Sequence, residues 1–375
     1  MVFSIHIQFF RGCDKPSLPH APFGHIPPRL MVSLLSNAIS ALLLFSFLFG
    51  GNPLKYAKPK LSDYGFFIGN MADHNPRDGV VPYDVSAQLF SDYALKSRFI
   101  VLPKGQQLNY KQDGTFDFPE GSILIKTFFY PADFRKPSKD IRIMETRLLI
   151  HTPEGWLGFP YVWNENQTEA VLEIAGERME ATFIDNEGDR ATFNYSVPNF
   201  NQCKGCHVND NRMIPIGPKV RLLNHDFDYP DGKMNQLKKW SALDMINGLP
   251  ELSSLPHTPN YDNPNDGSLN ERARAWIDIN CAHCHMKGAP GETSGLFLNI
   301  EETDPTRLGV LKPPVAAGRG AGDRLHTIVP GKPDASIMMY RMESTDPGVM
   351  MPELGRKLVH KEGVELVREW IKRME

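Results

Sequence analysis

The sequence predicts a multidomain protein: a β-rich N-terminal domain, antiparallel and sandwich- or barrel-like, followed by one or more α-helical domains. Three observations lead there. Residues from about 54 to 200 break into short β-branched and aromatic runs separated by turn signals. Two Cys-x-x-Cys-His motifs stand beyond that region, at Cys203-Lys-Gly-Cys206-His207 and Cys281-Ala-His-Cys284-His285. Helical apolar spacing flanks the second motif and recurs at the end of the chain.

The first segment, 1–53, reads as an export signal or a membrane anchor. Its residues 30–49 run for 20 positions without a charge. That is enough to cross a hydrocarbon core of about 30 Å as a helix. Arg11, Lys15 and Arg29 precede the run and favour a cytoplasmic start. A cleaved signal peptide and an uncleaved anchor both fit, and a buried soluble helix is the third reading. Met31 is an alternative start. Export implies a periplasmic protein, soluble or held at the inner membrane through residues 30–49.

Residues 54–200 supply the strands. Ser122–Tyr130, Ile141–Thr152, Trp156–Trp163, Ala170–Ala175 and Ala191–Val197 are rich in β-branched and aromatic residues. Asp113-Gly114, Glu154-Gly155 and Ala175-Gly176 punctuate them as turns. Residues 201–250 surround the first motif, with one helix expected over Asn235–Ile246. Four prolines make 251–267 a linker with its flanks. The last unit, 268–375, opens with a helix over Leu269–Asn280 and closes with one over Lys361–Met374. Val364, Val367, Trp370 and Ile371 share a face of the latter.

The motifs specify chemistry. Two cysteines three apart on a helical turn can meet the two vinyl groups of a haem, and the next histidine is then placed under the iron. Cys203, Cys206 and His207, and Cys281, Cys284 and His285, are therefore read as binding two haem c groups, with His207 and His285 as iron ligands. A zinc site competes. However, ribbon-type pairs lie about 15–20 residues apart, whereas 75 positions separate Cys206 from Cys281. A thioredoxin-like site wants a βαβ context that is absent. His283 is read as a surface spacer. With four cysteines so used, only Cys13 remains.

The unit 268–375 resembles a class I cytochrome c domain. Trp276 on the helix that enters Cys281, Trp370 on the last helix, and Met351-Pro352 carry the likeness. The fold class then becomes a β-rich domain followed by α-helical cytochrome c-type haem domains. The resemblance implies Met351 as the sixth ligand of the second iron, with Met350 as competitor and Met338, Met339 and Met342 as core fillers. It also implies that the carbonyl at Gly217-Pro218 orients His207; the matching Ser294-Gly295-Leu296 lacks the proline. The first iron's sixth ligand stays open among Met213, Met234, Met245, His225, His74 and His151, or no ligand. From about residue 60 onward the chain resembles a bacterial family of diheme c-type cytochromes, with segments such as Ser91–Lys96 and Glu145–Leu148. Lys96 and Arg98 beside them read as solvated.

Several functions are excluded or left in competition. A formal net charge of −3 without a basic block gives no sign of nucleic-acid binding. Gly318–Asp323 lacks the lysine of a phosphate-binding loop and reads as a flexible loop. Catalytic serine and zinc-protease motifs are absent. One-electron transfer through two haems, to redox partner proteins, is the expected function. A peroxidase-like enzyme with an open first haem is the alternative. A second alternative is a partner- or glycan-binding module with electron output.

Overall fold

The computed structural model describes residues 52–375. Strands β1 (Val80–Tyr83) and β2 (Leu95–Val101) precede a small ladder of β3 (Leu108–Tyr110) with β4 (Phe116–Asp117). The long strands follow: β5 (Ile123–Pro131), β6 (Ile141–Thr152) and β7 (Gly155–Trp163), then the short β8 (Ala170–Leu172). They pair in the order β1-β2-β5-β6-β7-β8, antiparallel throughout. Successive side chains alternate between the faces of a strand. One face therefore carries Phe99, Ile125, Leu148 and Phe159, sealed by Leu61 and Phe66 from the preceding segment. The other carries the aligned row Arg98, Lys126, Arg147 and Pro160, with Ile100, Leu124, Leu149 and Gly158 beside it.

A hairpin, β9 (Glu177–Ile184) with β10 (Arg190–Val197), closes a third apolar cluster in which Tyr130 stacks on Phe183 at 5.5 Å. The chain then delivers the first motif on a single helical turn, α1 (Cys203–His207), followed by the hairpin β11 (Val208–Asn209) with β12 (Arg212–Met213). Helices α2 (Val220–Leu223) and α3 (Gln236–Ala242) come next; the Asn235 side chain caps α3 by accepting from Leu237 and Lys238. Asp244, in the left-handed conformation, ends that turn, and β15 (Ile246–Asn247) pairs in parallel with β3, after the intervening hairpin β13 (Asp226–Tyr229) with β14 (Gly232–Asn235). The expected helix over Asn235–Ile246 is thus cut short.

Helix α4 (Leu269–Ile277) starts with a capping box in which Ser268 and Glu271 exchange hydrogen bonds with each other's backbone N–H. It winds into a π-helical turn, Asp278–Ala282, that carries Cys281. Helices α5 (Ile337–Glu343) and α6 (Lys361–Lys372) complete the chain. Trp370 donates to Asn270 at 2.9 Å, so the helix before the second motif does meet the last helix.

The expected fold class is corrected here. No all-helical cytochrome c-type domain follows the sheet, and the described residues do not divide into separate domains. Among the described residues there are six short helices, the longest of twelve residues, and Pro53–Glu375 form one compact unit. The reason is a shared core. Ile100 and Leu124 of the sheet, Leu222 and Trp240 after the first motif, and Trp276 and Ile371 around the second all belong to one apolar cluster. Short helices bury too little area on their own to close a separate core. The apolar run 30–49 and Cys13 lie outside the described residues, and within them no helix is long and apolar enough to cross a membrane.

Candidate functional site

Each motif begins with a local geometric requirement. Cys203 lies against β7, where a side-chain carbon at Gly158 would sit 3.1 Å from both its Cβ and its Sγ. Glycine at that position lets the motif rest on the sheet. Beyond His207, Asp210 and Asn211 both take positive φ at the tip of the β11–β12 hairpin, the conformation of a tight two-residue turn. The hairpin brings the Ile214 carbonyl back to the ring: His207 Nδ1 donates to it at 2.8 Å. This acceptor replaces the one expected at Gly217, whose carbonyl instead accepts from the Lys219 N–H.

The second motif reaches the same result differently. Ser294 Oγ donates to the Gly291 carbonyl at 2.6 Å, which uses its only proton. It must therefore accept from His285 Nδ1, 3.1 Å away, and from the Leu296 N–H. Both motif histidines are thereby assigned the Nδ1–H tautomer, which leaves Nε2 with its lone pair. Burial pushes both pKa values down to about 4, so both rings are neutral near pH 7. His360 offers a contrast: its Nδ1 accepts from Trp276 at 2.9 Å, which puts its proton on Nε2.

The two motifs are brought together. Asn209 donates to the Lys287 carbonyl at 2.7 Å, and the Asp210 N–H to the Gly288 carbonyl at 2.9 Å. The Cys284 thiol donates to the Gly205 carbonyl at 3.6 Å and lies beside Cys206. Its nearness, with that of His283, lowers the Cys206 pKa, and Cys206 in turn raises that of Cys284. Cys281, by contrast, is pushed up to about 12 by burial. Among the described residues no group of three or more His, Cys, Asp or Glu side chains is arranged to hold a metal ion.

The chain matches no protein-family model, no curated protein and no solved structure.

Between the first motif and the sheet lies a cavity of about 340 Å³, within the range of ligand sites. Cys203, Cys206, His207 and Met351 line it, whereas Cys281, Cys284 and His285 do not. Met351, expected to serve the second iron, thus lines the cavity of the first motif, and its N–H donates to the Arg341 carbonyl at 3.0 Å. The loop bearing it is pinned by Arg356, only 5% exposed, whose guanidinium donates to the carbonyls of Arg341, Met342, Ser344, Met351 and Leu358. Met350 is buried, as are Met339 and Met342 on α5.

Several sequence expectations shift. Met213, Met234, Met245, His225, His74 and His151 do not line the cavity. His74 lies among Phe67, Phe99 and Trp163 on the far face of the sheet. His283, expected at the surface, lines the cavity with its Nδ1 buried and unpartnered. Arg356 Nε is also buried without a partner at the same wall. Arg98, expected in solvent, is drawn inside, 5% exposed and paired with Asp84, and Lys96 is half-buried. Alternation at Ser97, Phe99 and Val101 was the signal that could have placed them on one face of a strand.

Proposed function

We propose that the chain is an exported diheme c-type cytochrome that passes single electrons between redox partners. Cys203 and Cys206 would hold one haem by thioether bonds, and Cys281 and Cys284 the other. His207 and His285 would each hold an iron through Nε2. The observation that carries the reading is the paired tautomer assignment. Two histidines, each directly after a Cys-x-x-Cys pair, donate from Nδ1 to a fixed oxygen and keep Nε2 free. That is the second-shell arrangement that orients a metal-binding imidazole and raises its basicity.

Iron held there would supply the one-electron chemistry. The protein's own parts do the rest. The Ile214 carbonyl and the Ser294 hydroxyl keep the rings in register. Leu124, Phe128 and Leu149 give the cavity an apolar wall that lowers the local dielectric. The nearness of Cys206 to Cys284 supports a relay, because it brings the two attachment sites together. Met351, expected from the sequence as the sixth ligand of the second iron, is the candidate for the first iron by its place in the cavity beside His207, its loop fixed by Arg356. Residues 30–49 are proposed to direct export and to tether the protein if they stay uncleaved.

The test is a pyridine haemochrome assay with intact mass on full-length protein matured where haem-ligation machinery is active. Two covalent haems are expected; colourless protein at apoprotein mass overturns the reading. In the same preparation, Met351→Ala should remove the far-red methionine–iron charge-transfer band and leave the haem count at two.

A further inference from the structure

Three basic residues stand directly opposite one another across three strands: Arg98 on β2, Lys126 on β5 and Arg147 on β6. Like charges so placed repel, and each such pair costs stability. Lys96 lies one row away on the same face. Arg98 is answered by Asp84, and Arg147 is held by Glu145 through bonds of 2.8 and 2.6 Å. Lys126 has no such answer. Among the described residues it has no carboxylate within ion-pair distance and no hydrogen-bond acceptor, only the Phe128 ring 4.9 Å from its Nζ. Lys96 Nζ reaches only the Ala94 carbonyl, at 2.9 Å. Burial, with repulsion from the neighbouring cations, depresses the pKa of both lysines.

The rest of the cavity deepens the imbalance. Arg178, Arg356 and Lys357 also line it, and only Asp92 and Glu353 oppose them there. Asp92 is already engaged by the N–H groups of Lys357 and Leu358, at 2.6 and 2.7 Å. Holding half-buried cations without counter-charges is costly unless something neutralises them.

We propose that this wall of the sheet, centred on Lys126, binds the carboxylate of an anionic ligand in the cavity beside His207. The carboxylate has two sources. It belongs either to the propionate side chains of a haem bonded at Cys203 and Cys206, which rests on the function proposed above, or to a small soluble carboxylate. The β-rich part of the chain is then a wall of the site and not a separate docking module.

The experiment compares full-length matured protein with its Lys126→Met variant, with Lys126→Arg as the charge-preserving control. Haem content, midpoint potential and melting temperature are read, the last with and without succinate at fixed ionic strength. If propionates are the ligand, Lys126→Met keeps its haems but its potential falls, because a lost positive charge favours the ferric state. Lys126→Arg keeps the potential, and succinate has no effect on wild type. If the ligand is soluble, succinate raises the melting temperature of wild type, and Lys126→Met weakens its binding by about tenfold or more. A potential that does not move, together with wild-type melting indifferent to succinate, overturns the proposal. In that case Lys126→Met should melt above wild type, because it only relieves repulsion. Should that variant fail to mature, Lys126→Gln, which removes the charge but keeps a polar side chain, is read under the same criteria. Colourless protein would refute the haem reading alone, and the succinate arm still decides the anion site on it.

Discussion

At the scale of single residues, the site depends on which atom of each imidazole carries the proton. The motif itself was readable, because it is a chemical specification confined to five adjacent residues. The acceptors were not, because they depend on how the chain returns. Ile214 reaches His207 only through the Asp210-Asn211 turn, and Ser294 reaches His285 only because its hydroxyl proton is committed to Gly291. Ser294→Ala should therefore leave His285 Nδ1–H without its acceptor and cost about 1–3 kcal/mol, seen as a lower denaturation midpoint. In haem-loaded protein it should also raise the potential of one haem, because a less basic ligand favours ferrous iron, and Ser294→Thr should restore both. A second residue sets acid sensitivity. Burial lowers the His74 pKa from its ordinary 6.5 to about 4, and its Nε2 has no partner. The unfolded chain therefore takes up a proton at a pH where the folded one does not, so stability is complete above pH 6.5 and declines as pH falls towards 4. His74→Asn, which tolerates the left-handed backbone there, should lessen the dependence of melting temperature between pH 7 and pH 5 without removing it, because burial lowers His207, His285 and His360 in the same direction.

At the scale of elements, the strands that alternate cleanly were legible. Ile141–Thr152 is bounded as its sequence suggests, since turns flank it and most of its buried residues are apolar, Glu145, Thr146 and Thr152 excepted. Leu95–Val101 was missed because Lys96, Ser97 and Arg98 hide the alternation. Arg98 lines the cavity, so the local rule fails where the site needs it to. Helix ends were misjudged where pairing with distant strands competed with helical spacing, as at Ile246. The contact of α4 with α6 was legible from its tryptophans, but its closeness was not. A Cβ on Gly363 would enter the van der Waals shell of the Trp276 indole and sit 2.7 Å from His360 Nδ1. Alanine in an exposed helix interior gains about 1 kcal/mol over glycine. Overpacking against a buried ring costs about 1–3 kcal/mol, and here neither the indole nor His360, hydrogen-bonded to each other, can yield. Gly363→Ala should thus lower stability by about 1–2 kcal/mol, against its helix propensity, as measured by chemical denaturation.

At the scale of the whole molecule, the expected separation into a sheet domain and helical haem domains gave way because their interiors are continuous. Apolar spacing reports which face of an element is buried, and it does not report against what. The two halves are also joined by polar contacts that no local pattern announces. Phe90 N–H donates to Asn280 Oδ1 at 2.8 Å, tying the segment before β2 to the turn that carries Cys281. Arg221 on α2 pairs with Asp278 at 2.7 Å, their side chains 9% and 4% exposed, and Arg221 also donates to Thr258 at 3.0 Å. Asp278 in turn accepts from the Ile300 N–H at 2.9 Å. This buried pair connects the region after the first motif to the entry of the second. Removing one partner strands the other charge in the core, which costs about 3–5 kcal/mol, whereas a surface pair would cost under about 1 kcal/mol. Arg221→Leu should therefore lower the denaturation midpoint of the entire chain and not of one half. Wild type and variant should each unfold in one cooperative step, with fluorescence of the sheet tryptophans and absorbance at the two motifs moving together. Two separated transitions, only one of them shifted by the substitution, would restore the multidomain arrangement.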